Sequence, residues 1–368
     1  MTEDIDLPVS SAARVADPDE DITLDELRLA ARNHGMPLEA LDYDVTPVGL
    51  HYLLTHYDIP ILDHPSWRLN IAGHVQHPLE LDLAALQALP QVTQRVTLEC
   101  AGNGRAKLLP RPVSQPWLDE AVGTADWTGT PLAPLLRRAG VASSAVDVVF
   151  TGADHGIERG IEQDYQRALP LEEVLRDDVL LAYAVNGQPL PPQHGAPVRL
   201  IVPGWYGMTQ VKWLVRIDVI DTAFTGFQNA HAYRLKQAAD DEGVPVTRIE
   251  PRALVRPPGF PDFQTRVRIV DRGVHELTGR AWSGHAPVTR VEVSADAGQT
   301  WADAVLGPDP EPYAWRAWRW TWEAGEPGRH TLCARATDAA GNVQPVEEPW
   351  NVQGMANNVI HRVPVLVR

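Results

Sequence analysis

Up to about residue 247, short runs of alternating hydrophobic and polar residues are interspersed with short helix-like runs. The alternating runs, bounded by glycine and proline, predict short strands at residues 66–75, 94–100, 145–152, 197–204 and 211–221. The helix-like runs occupy residues 82–90, 131–140 and 170–177. This mixture predicts an α+β region with many loops.

The pattern before this region is different. Residues 1–46 are rich in acidic side chains and contain one helix-like run, from Thr23 to Gly35. Thr23 followed three residues later by Glu26 is a capping-box pattern that begins a helix, and Gly35 is a residue that ends one. We therefore expect an acidic N-terminal extension with a single helix.

After a proline-rich segment at residues 242–263, only alternating patterns remain. They occupy residues 275–283, 288–296, 315–324 and 329–338. Strands at this spacing, with turn residues between them, are typical of an immunoglobulin-like sandwich. The predicted organisation is an extension (1–46), an α+β domain (47–247) and an all-β sandwich domain (248–368).

Composition and charge narrow the classes of function. The chain of 368 residues is 44% hydrophobic and 22% charged, as is usual for a globular protein of two domains. No run approaches the roughly 18 apolar residues of a membrane span, and no secretory signal begins the chain, so we expect a cytoplasmic protein. The net charge of −16 argues against nucleic acids and anionic membranes as partners.

One of the two cysteines lies in a loop of small residues, in the sequence LECAGNGR at 98–105. The sulfur of Cys100 has three interpretations: a small buried side chain, a nucleophile with a histidine base, or a metal ligand. The glycines would let a bulky cofactor approach the backbone closely. The guanidinium of Arg105 would favour the thiolate and could donate two hydrogen bonds to an oxyanion. The residues alone leave these interpretations open.

The same loop resembles the molybdenum-binding loop of the sulfite oxidase family, in which Cys-Ala-Gly-Asn is followed by an active-site arginine. The resemblance covers residues 47–368 in matching order. It includes the segments at 117–132, 180–214, 279–284, 291–301, 336–345 and 350–354. The resemblance implies a molybdopterin-binding catalytic domain, followed by an immunoglobulin-like domain that forms a homodimer.

The resemblance also implies how a cofactor would be held. Cys100 would ligate molybdenum, and a soft thiolate suits this metal. The pterin and its phosphate would be bound by Asn103, His194, Arg199 and Lys212, two of which are cations suited to a phosphate. The implied cofactor is therefore molybdenum with molybdopterin.

Further residues are implied in the reaction itself. Arg105 would hold the oxyanion, and Tyr233 would form hydrogen bonds at the pocket and assist proton movement. Trp117 would lie in the substrate pocket, and so would His56 and Gln353. The electrons would leave to a separate acceptor, because the resemblance includes no haem segment.

Two positions depart from the family pattern. Leu54 and Gln353 stand where the family carries arginines around a doubly charged substrate. A unit charge about 4 Å from an anion is worth roughly 4 kcal/mol at an effective dielectric of about 20, so the affinity for sulfite would fall. A protonated His56 would compensate in part. The family's arginine at the first position belongs to an Arg-Asn-His segment, and the Arg-Asn-His of this chain, at Arg32, lies far upstream of that position.

The expected reaction is oxygen-atom transfer that converts sulfite to sulfate. The alternative is reduction of a sulfoxide or another oxo compound on the same cofactor, which the two lost arginines favour. Two other classes are a cysteine hydrolase, with His155 or His194 as base, and a non-catalytic scaffold. The sequence TGADHG at residues 151–156 is another candidate cofactor loop, but Asp154 and His155 are interpreted as residues of a turn between strands.

Overall fold

The computed structural model describes residues 14–368, so the start of the predicted extension lies outside the described residues. Strands dominate, and the α-helices are short: α1 (Leu24–Arg32), α2 (Leu83–Gln87), α3 (Leu132–Ala139) and α4 (Leu171–Val174). Turns of 3₁₀-helix lie at Leu38–Asp42, Val48–Leu50, Arg105–Lys107, Pro192–His194 and Gly207–Thr209, and a turn of π-helix lies at Gln228–Ala232. Within residues 14–368, no helix has the length and apolar character needed to traverse a bilayer.

Strands are numbered in chain order. Those of the first part are β1 (Arg14–Val15), β2 (Leu69–Gly73), β3 (Leu79–Leu81), β4 (Val92–Glu99), β5 (Pro112–Val113), β6 (Val122–Pro131), β7 (Asp147–Glu158), β8 (Ile161–Pro170), β9 (Leu180–Val185), β10 (Gln188–Pro189), β11 (Arg199–Ile201), β12 (Leu214–Ile220), β13 (Arg234–Leu235) and β14 (Val244–Pro245). Those of the second part are β15 (Arg252–Val255), β16 (Phe260–Pro261), β17 (Arg268–Val270), β18 (Gly273–Trp282), β19 (Val288–Ser294), β20 (Ala302–Asp303), β21 (Val305–Leu306), β22 (Arg316–Ala324), β23 (Gly328–Asp338) and β24 (His361–Val367).

Two five-stranded sheets form the framework of the first part. One has the order β10–β9–β6–β4, with β11 also paired to β9, and the other has the order β3–β2–β12–β7–β8. Residues from both sheets, among them Ile71, Phe150 and Leu181, share one hydrophobic core, against which α3 packs with Leu132 and Leu136. The cysteine segment follows the end of β4, and the other residues of the site lie partly in loops and partly in the strands β7, β8 and β11.

Two more sheets form the second part, with the orders β15–β18–β22–β21 and β16–β17–β24–β23–β19–β20. Side chains from both sheets, including Leu277, Trp318, Leu332 and Val365, meet in a single core. This is the arrangement of two mainly antiparallel layers packed face to face, with one parallel pair, β17 and β24. The second cysteine, Cys333, is free and buried here, far from the first one in the fold.

The strand predictions are confirmed at β2, β4, β7, β11 and β12, and in the second part at β18, β19, β22 and β23. All three helices predicted in the first part are present as α2, α3 and α4. Strands β6 and β9 escape the alternation rule because nearly all their residues are buried. The predicted α+β class is therefore too helical, since sheets carry most of the structure.

The predicted capping box at the start of α1 is confirmed. Thr23 Oγ1 accepts from Glu26 N at 3.2 Å, and the Glu26 carboxylate accepts from Thr23 N at 2.9 Å. The helix ends at Arg32, before the predicted Gly35, because Asn33 turns its side chain inward to donate to Gln115 Oε1 (2.9 Å). This contact holds the extension against the first part of the chain.

A buried charge cluster joins the two parts directly behind the cysteine. Glu99, the last residue of β4, forms an ion pair with Arg252 of β15 at 2.8 Å, and each side chain is 1% exposed. The indole N–H of Trp282 donates to the same carboxylate at 2.8 Å. An apolar cluster that includes Tyr206 and Trp315 surrounds this junction.

Candidate cofactor and active site

The cysteine loop follows β4 directly. Cys100 N–H donates to Ala121 O (2.9 Å), and Asn103 N–H donates to Cys100 O (3.0 Å), so the chain reverses tightly after the strand. The side chain of Asn103 closes the loop, donating to Glu99 Oε1 (3.0 Å) and accepting from Ala121 N (3.1 Å). The predicted cofactor residue Asn103 is thus engaged within the loop itself.

Arg105 is buried beside the cysteine and fixed by backbone carbonyl groups. It donates to Gln353 O (2.9 Å) and Gln115 O (3.1 Å). Gly102 permits this packing, because a Cβ at that position would lie 2.6 Å from the guanidinium. Burial lowers the pKa of Arg105, while the neighbouring Cys100 raises it. The cysteine loop therefore places a sulfur and a cation side by side.

The sulfur of Cys100 lies in a largely apolar environment. Burial raises the pKa of the Cys100 thiol, and the guanidinium of Arg105 and the indole N–H of Trp117 oppose that effect. Within the described residues the Trp117 N–H has no hydrogen-bond acceptor. A positive centre next to the sulfur, such as a metal ion, would hold it as a thiolate.

Cys100 opens into a cleft of about 630 Å³, a volume that includes the space open to solvent at its mouth. The lining consists of His51, Tyr52, Leu53, Leu54, His56, Leu98, Cys100, Ala101, Asp154, Tyr165, His194, Arg199, Gly207, Met208, Gln210, Lys212 and Tyr233. Six of the predicted site residues are therefore brought together here. The other four, Asn103, Arg105, Trp117 and Gln353, are buried outside this lining.

Arg199 and His194 form one wall of the cleft. Arg199 donates to His194 O (3.0 Å) and Gln210 O (3.2 Å), and its guanidinium lies 4.7 Å from the Trp127 ring centroid. Burial lowers the pKa of Arg199 to about 10, so it keeps its charge at neutral pH. Burial lowers the pKa of His194 to about 2, with help from nearby cations, so this imidazole is neutral.

Lys212 adds a second cation to the cleft. Its Nζ donates to Leu54 O (2.7 Å) and lies 4.3 Å from the Trp213 ring centroid. Gly195, with a φ of 103°, packs against it, and a Cβ there would lie 2.9 Å from Lys212 Cβ. Burial, with a smaller contribution from the charge of Arg199, lowers the pKa of Lys212 to about 7. A phosphate beside both cations would favour the charged lysine.

His56 and Tyr233 meet in the same cleft. His56 Nε2 and Tyr233 Oη are 2.8 Å apart, within hydrogen-bond distance. The Arg167 guanidinium lies 5.7 Å from the Tyr233 ring centroid. Burial lowers the pKa of His56 and raises that of Tyr233, so both groups are neutral near pH 7. The pair carries one O–H and one N–H proton, so it can pass a proton to or from a bound molecule.

Asp154 lines the cleft, so its interpretation as a turn residue is wrong. The register between β7 and β8 shifts between Thr151 and His155, and this irregularity directs Asp154 inward. Burial raises the pKa of Asp154 to about 6. His155 is also within β7 but faces solvent, where it binds Asp164 at 2.8 Å. Asp154 belongs to the segment at residues 151–156 that is also a candidate cofactor loop, and its place in the cleft agrees with that alternative.

Arg32, the arginine of the upstream Arg-Asn-His segment, approaches the rim but does not line the cleft. It donates to Tyr57 O at 2.5 Å and forms an ion pair with Asp58 at 3.6 Å. Its side chain is 42% exposed. The structure therefore places this cation on the outer side of the segment that carries Leu54 and His56.

Comparison with known proteins agrees with this site. The profile of the family described as "Oxidoreductase molybdopterin binding domain" matches residues 56–228, and that of "Mo-co oxidoreductase dimerisation domain" matches residues 260–368. The sulfane dehydrogenase SoxCD of Paracoccus pantotrophus is similar in structure, with a TM-score of 0.78 and 26% identity over 95% of this chain and 87% of that one.

The chain belongs to the sulfite oxidase family of molybdopterin-dependent oxidoreductases. Human mitochondrial sulfite oxidase is 33% identical over 347 residues, which is 88% of this chain and 62% of the human protein. Nitrate reductase (NADH) 1 of Oryza sativa subsp. japonica is 31% identical over 354 residues, 88% of this chain. The chain spans only 38% of that reductase. The family's cofactor is molybdenum held by molybdopterin.

The cleft is chemically suited to the cofactor of the sulfite oxidase family. Three buried polar atoms of its lining, His51 Nε2, Asp154 Oδ1 and Arg199 Nε, have no hydrogen-bond partner within residues 14–368. A polar ring system would supply such partners, since buried polar groups are normally hydrogen-bonded. Arg199 and Lys212 suit a phosphate, and a single soft thiolate suits molybdenum.

Proposed function

We propose that the protein oxidises sulfite to sulfate by oxygen-atom transfer on a molybdenum cofactor, and passes the electrons to an external acceptor. The observation that carries the proposal is the shared cleft of Cys100, the cations Arg199 and Lys212, and the His56–Tyr233 pair. Conversion of sulfite and water to sulfate releases two protons and two electrons. A proton-accepting pair in the cleft and a separate electron-transfer partner meet these needs.

We assign the cofactor contacts from the lining of the cleft. Cys100 would ligate the metal, Arg199 and Lys212 would bind the phosphate, and His194 and Asp154 would contact the pterin. When bound, the cofactor supplies the two-electron chemistry and the transferred oxygen. Asn103, predicted from the sequence as a cofactor contact, would instead hold the cysteine loop in shape, because its side chain is used there.

The chain's own groups would bind the substrate and move the protons. Arg105 is held rigidly beside Cys100, where a fixed guanidinium stabilises an oxyanion without reorganising. Tyr233 would hold a proton position at the substrate, with His56 as its partner. Trp117 would pack at the far side of the sulfur and exclude water from it.

Reduction of an oxo compound is the second candidate. Leu54 and Gln353 replace arginines of the family pattern, and Leu54 lines the cleft with an apolar side chain. A less charged substrate such as a sulfoxide needs fewer cations around it. The relatives include a nitrate reductase, so the family contains reductases as well as oxidases.

The second part of the chain supports a dimeric assembly. We propose that residues 248–368 form an immunoglobulin-like sandwich that pairs two copies of the chain. The two packed sheets and the match to a dimerisation domain at residues 260–368 support this. A boundary near residue 248 also agrees with β15, which pairs with β18 of the second part.

The first experiment measures molybdenum and molybdopterin in the purified wild type and in Cys100→Ser. We expect about one molybdenum per chain in the wild type, and a changed X-ray absorption spectrum of the metal in the variant while the pterin is retained. Protein from a cofactor-competent host that folds without metal or pterin would contradict the proposal.

Turnover then separates the two candidate reactions. Sulfite oxidation is followed with ferricyanide as acceptor, and reduction of dimethyl sulfoxide is followed with a reduced viologen as donor. The proposal expects sulfite to be the better substrate. If the sulfoxide is reduced efficiently and sulfite is inert, the second candidate replaces the first.

A further inference from the structure

The tip of the β7–β8 hairpin has an unusual residue for its conformation. Glu158 pairs with Ile161, so the turn consists of Arg159 and Gly160 alone. Both have positive φ, 51° and 78°, as in the tight hairpin turn that favours Asn-Gly. Arginine rarely adopts this conformation, and such outliers gather at functional sites. The side chain of Arg159 is therefore the feature to follow.

Arg159 extends from the turn toward Gln353, in the C-terminal part of the chain. Its Nη2 donates to Gln353 Oε1 at 3.3 Å, and its guanidinium lies 5.9 Å from the Phe227 ring centroid. The side chain is half-buried. Its charge is close enough to Arg105 to contribute to the lowered pKa of that buried arginine. Two cations from different segments thus lie near each other at Gln353, and one of them, Arg105, is the neighbour of the cysteine.

Gln353 is the residue on which both arginines converge. Its backbone carbonyl accepts from Arg105 Nε at 2.9 Å, while its side-chain carbonyl accepts from Arg159. Its amide nitrogen donates to His231 O at 3.3 Å, which fixes the orientation of the side chain. Position 353 is also one of the two places where the family pattern has an arginine and this chain does not.

We propose that Arg159 is a specificity-determining residue, which supplies from the hairpin tip the second cation that Gln353 no longer provides, so that the pocket selects a small dianionic oxyanion. The inference rests on the proposed function for the reaction and adds the means of substrate choice. A guanidinium fork matches the oxygens of sulfite or sulfate. Two neighbouring cations repel each other, and an anion between them removes that repulsion.

The test uses the molybdenum-loaded enzyme with three changes. Arg159→Asn removes the charge but suits the turn, Arg159→Lys keeps the charge without the fork, and Gln353→Arg is added to Arg159→Asn to restore a cation at position 353. Arg319→Asn is the matched control, because Arg319 is 64% exposed on the second part of the chain. The readouts are KM and kcat for sulfite, and the dissociation constant of sulfate by calorimetry.

We expect Arg159→Asn to raise both KM for sulfite and the dissociation constant of sulfate at least tenfold, with kcat changed less than threefold. Arg159→Lys should lie between this variant and the wild type, and the added Gln353→Arg should recover at least half of the loss on a logarithmic scale. The control should match the wild type. Molybdenum content is measured in each preparation and used to normalise kcat.

The outcomes separate this inference from the proposed function. Sulfite turnover with unchanged constants in Arg159→Asn overturns the role of Arg159 and leaves the function intact. Sulfate binding that weakens in Arg159→Asn, in an enzyme that does not oxidise sulfite, supports oxyanion selection and overturns the proposed reaction. No detectable binding of sulfate to the wild type overturns the inference.

Discussion

Two neutral side chains share one hydrogen bond at the cleft although they are far apart in the sequence. His56 Nε2 and Tyr233 Oη are 2.8 Å apart. Burial lowers the pKa of His56 and raises that of Tyr233, so that it favours the neutral form of both side chains. Because both side chains are neutral before a substrate binds, the pair can hold a proton in place without a buried net charge. Its contribution should therefore appear in the rate and not in cofactor retention.

We predict that Tyr233→Phe lowers kcat for sulfite by roughly a hundredfold, the lower range of general acid–base contributions, with molybdenum content unchanged. Steady-state kinetics and metal analysis on the same preparation check this. Tyr43→Phe is the matched control, since Tyr43 is 51% exposed. A wild-type rate in Tyr233→Phe would show that the hydroxyl takes no part in proton movement.

Single residues could be predicted from the sequence where a short contiguous motif carried them. Cys100 and Arg105 share one loop, and the structure confirms that they lie side by side. Asp154 lies in the segment at residues 151–156 that is a candidate cofactor loop, but its direction into the cleft could not be predicted, because it depends on the irregular register between β7 and β8. Arg159 was missed for a related reason: its contact with Gln353 joins positions 194 residues apart.

The strand β4 ends in a charge that only the second part of the chain neutralises. Glu99 pairs with Arg252 at 2.8 Å, and Trp282 donates to the same carboxylate. Arg252 also lies 3.3 Å from Asp119. Removing one member of a buried ion pair leaves the other charge uncompensated, which typically costs about 3–5 kcal/mol.

Arg252→Met should therefore lower the free energy of unfolding by about 3–5 kcal/mol, measured by urea denaturation. The double variant Glu99→Gln/Arg252→Met should lose less than the sum of the two single changes, because no unpaired charge remains in that pair. Arg319→Met, at an exposed pair with Glu276, should cost no more than about 1 kcal/mol. Equal losses in Arg252→Met and Arg319→Met would refute the role of the buried pair.

The positions of individual strands could be predicted better than which strands pair with one another. Alternation located β2 and β12 because each has a hydrophobic side that faces a core. Their parallel pairing could not be predicted, since β2 (Leu69–Gly73) and β12 (Leu214–Ile220) are brought together only by the complete sheet. The same holds for the second part, where β17 and β24 also pair in parallel.

A buried histidine makes the stability of the whole molecule depend on pH. His361, at the start of β24, accepts a hydrogen bond at Nδ1 from Val255 N at 3.1 Å and is 5% exposed. Burial lowers the pKa of His361 to about 4; nearby Asp119 opposes this shift, whereas Lys107 and Arg252 add to it. An unfolded histidine titrates near pH 6.5.

Below about pH 6.5, His361 therefore binds a proton in the unfolded chain, whereas in the folded protein it binds one only near pH 4. We predict that this residue contributes a loss of roughly 3 kcal/mol in the free energy of unfolding between these pH values. His361→Gln, which keeps an acceptor for Val255, should make the decline shallower in urea titrations at pH 4.5 to 7. His64→Gln, at an exposed histidine, should not, and identical slopes in all three proteins would contradict the prediction.

The pairing of Glu99 with Arg252 also limits how the chain can be recombined. A chimera that keeps the first part but takes its C-terminal sheets from a relative without a cation at position 252 would leave a carboxylate buried directly behind the cysteine. The transferable unit is therefore larger than either domain. This unit includes both Glu99 and Arg252, which lie on opposite sides of the junction. An exchange of the C-terminal part therefore has to be combined with a substitution of Glu99 that removes its charge.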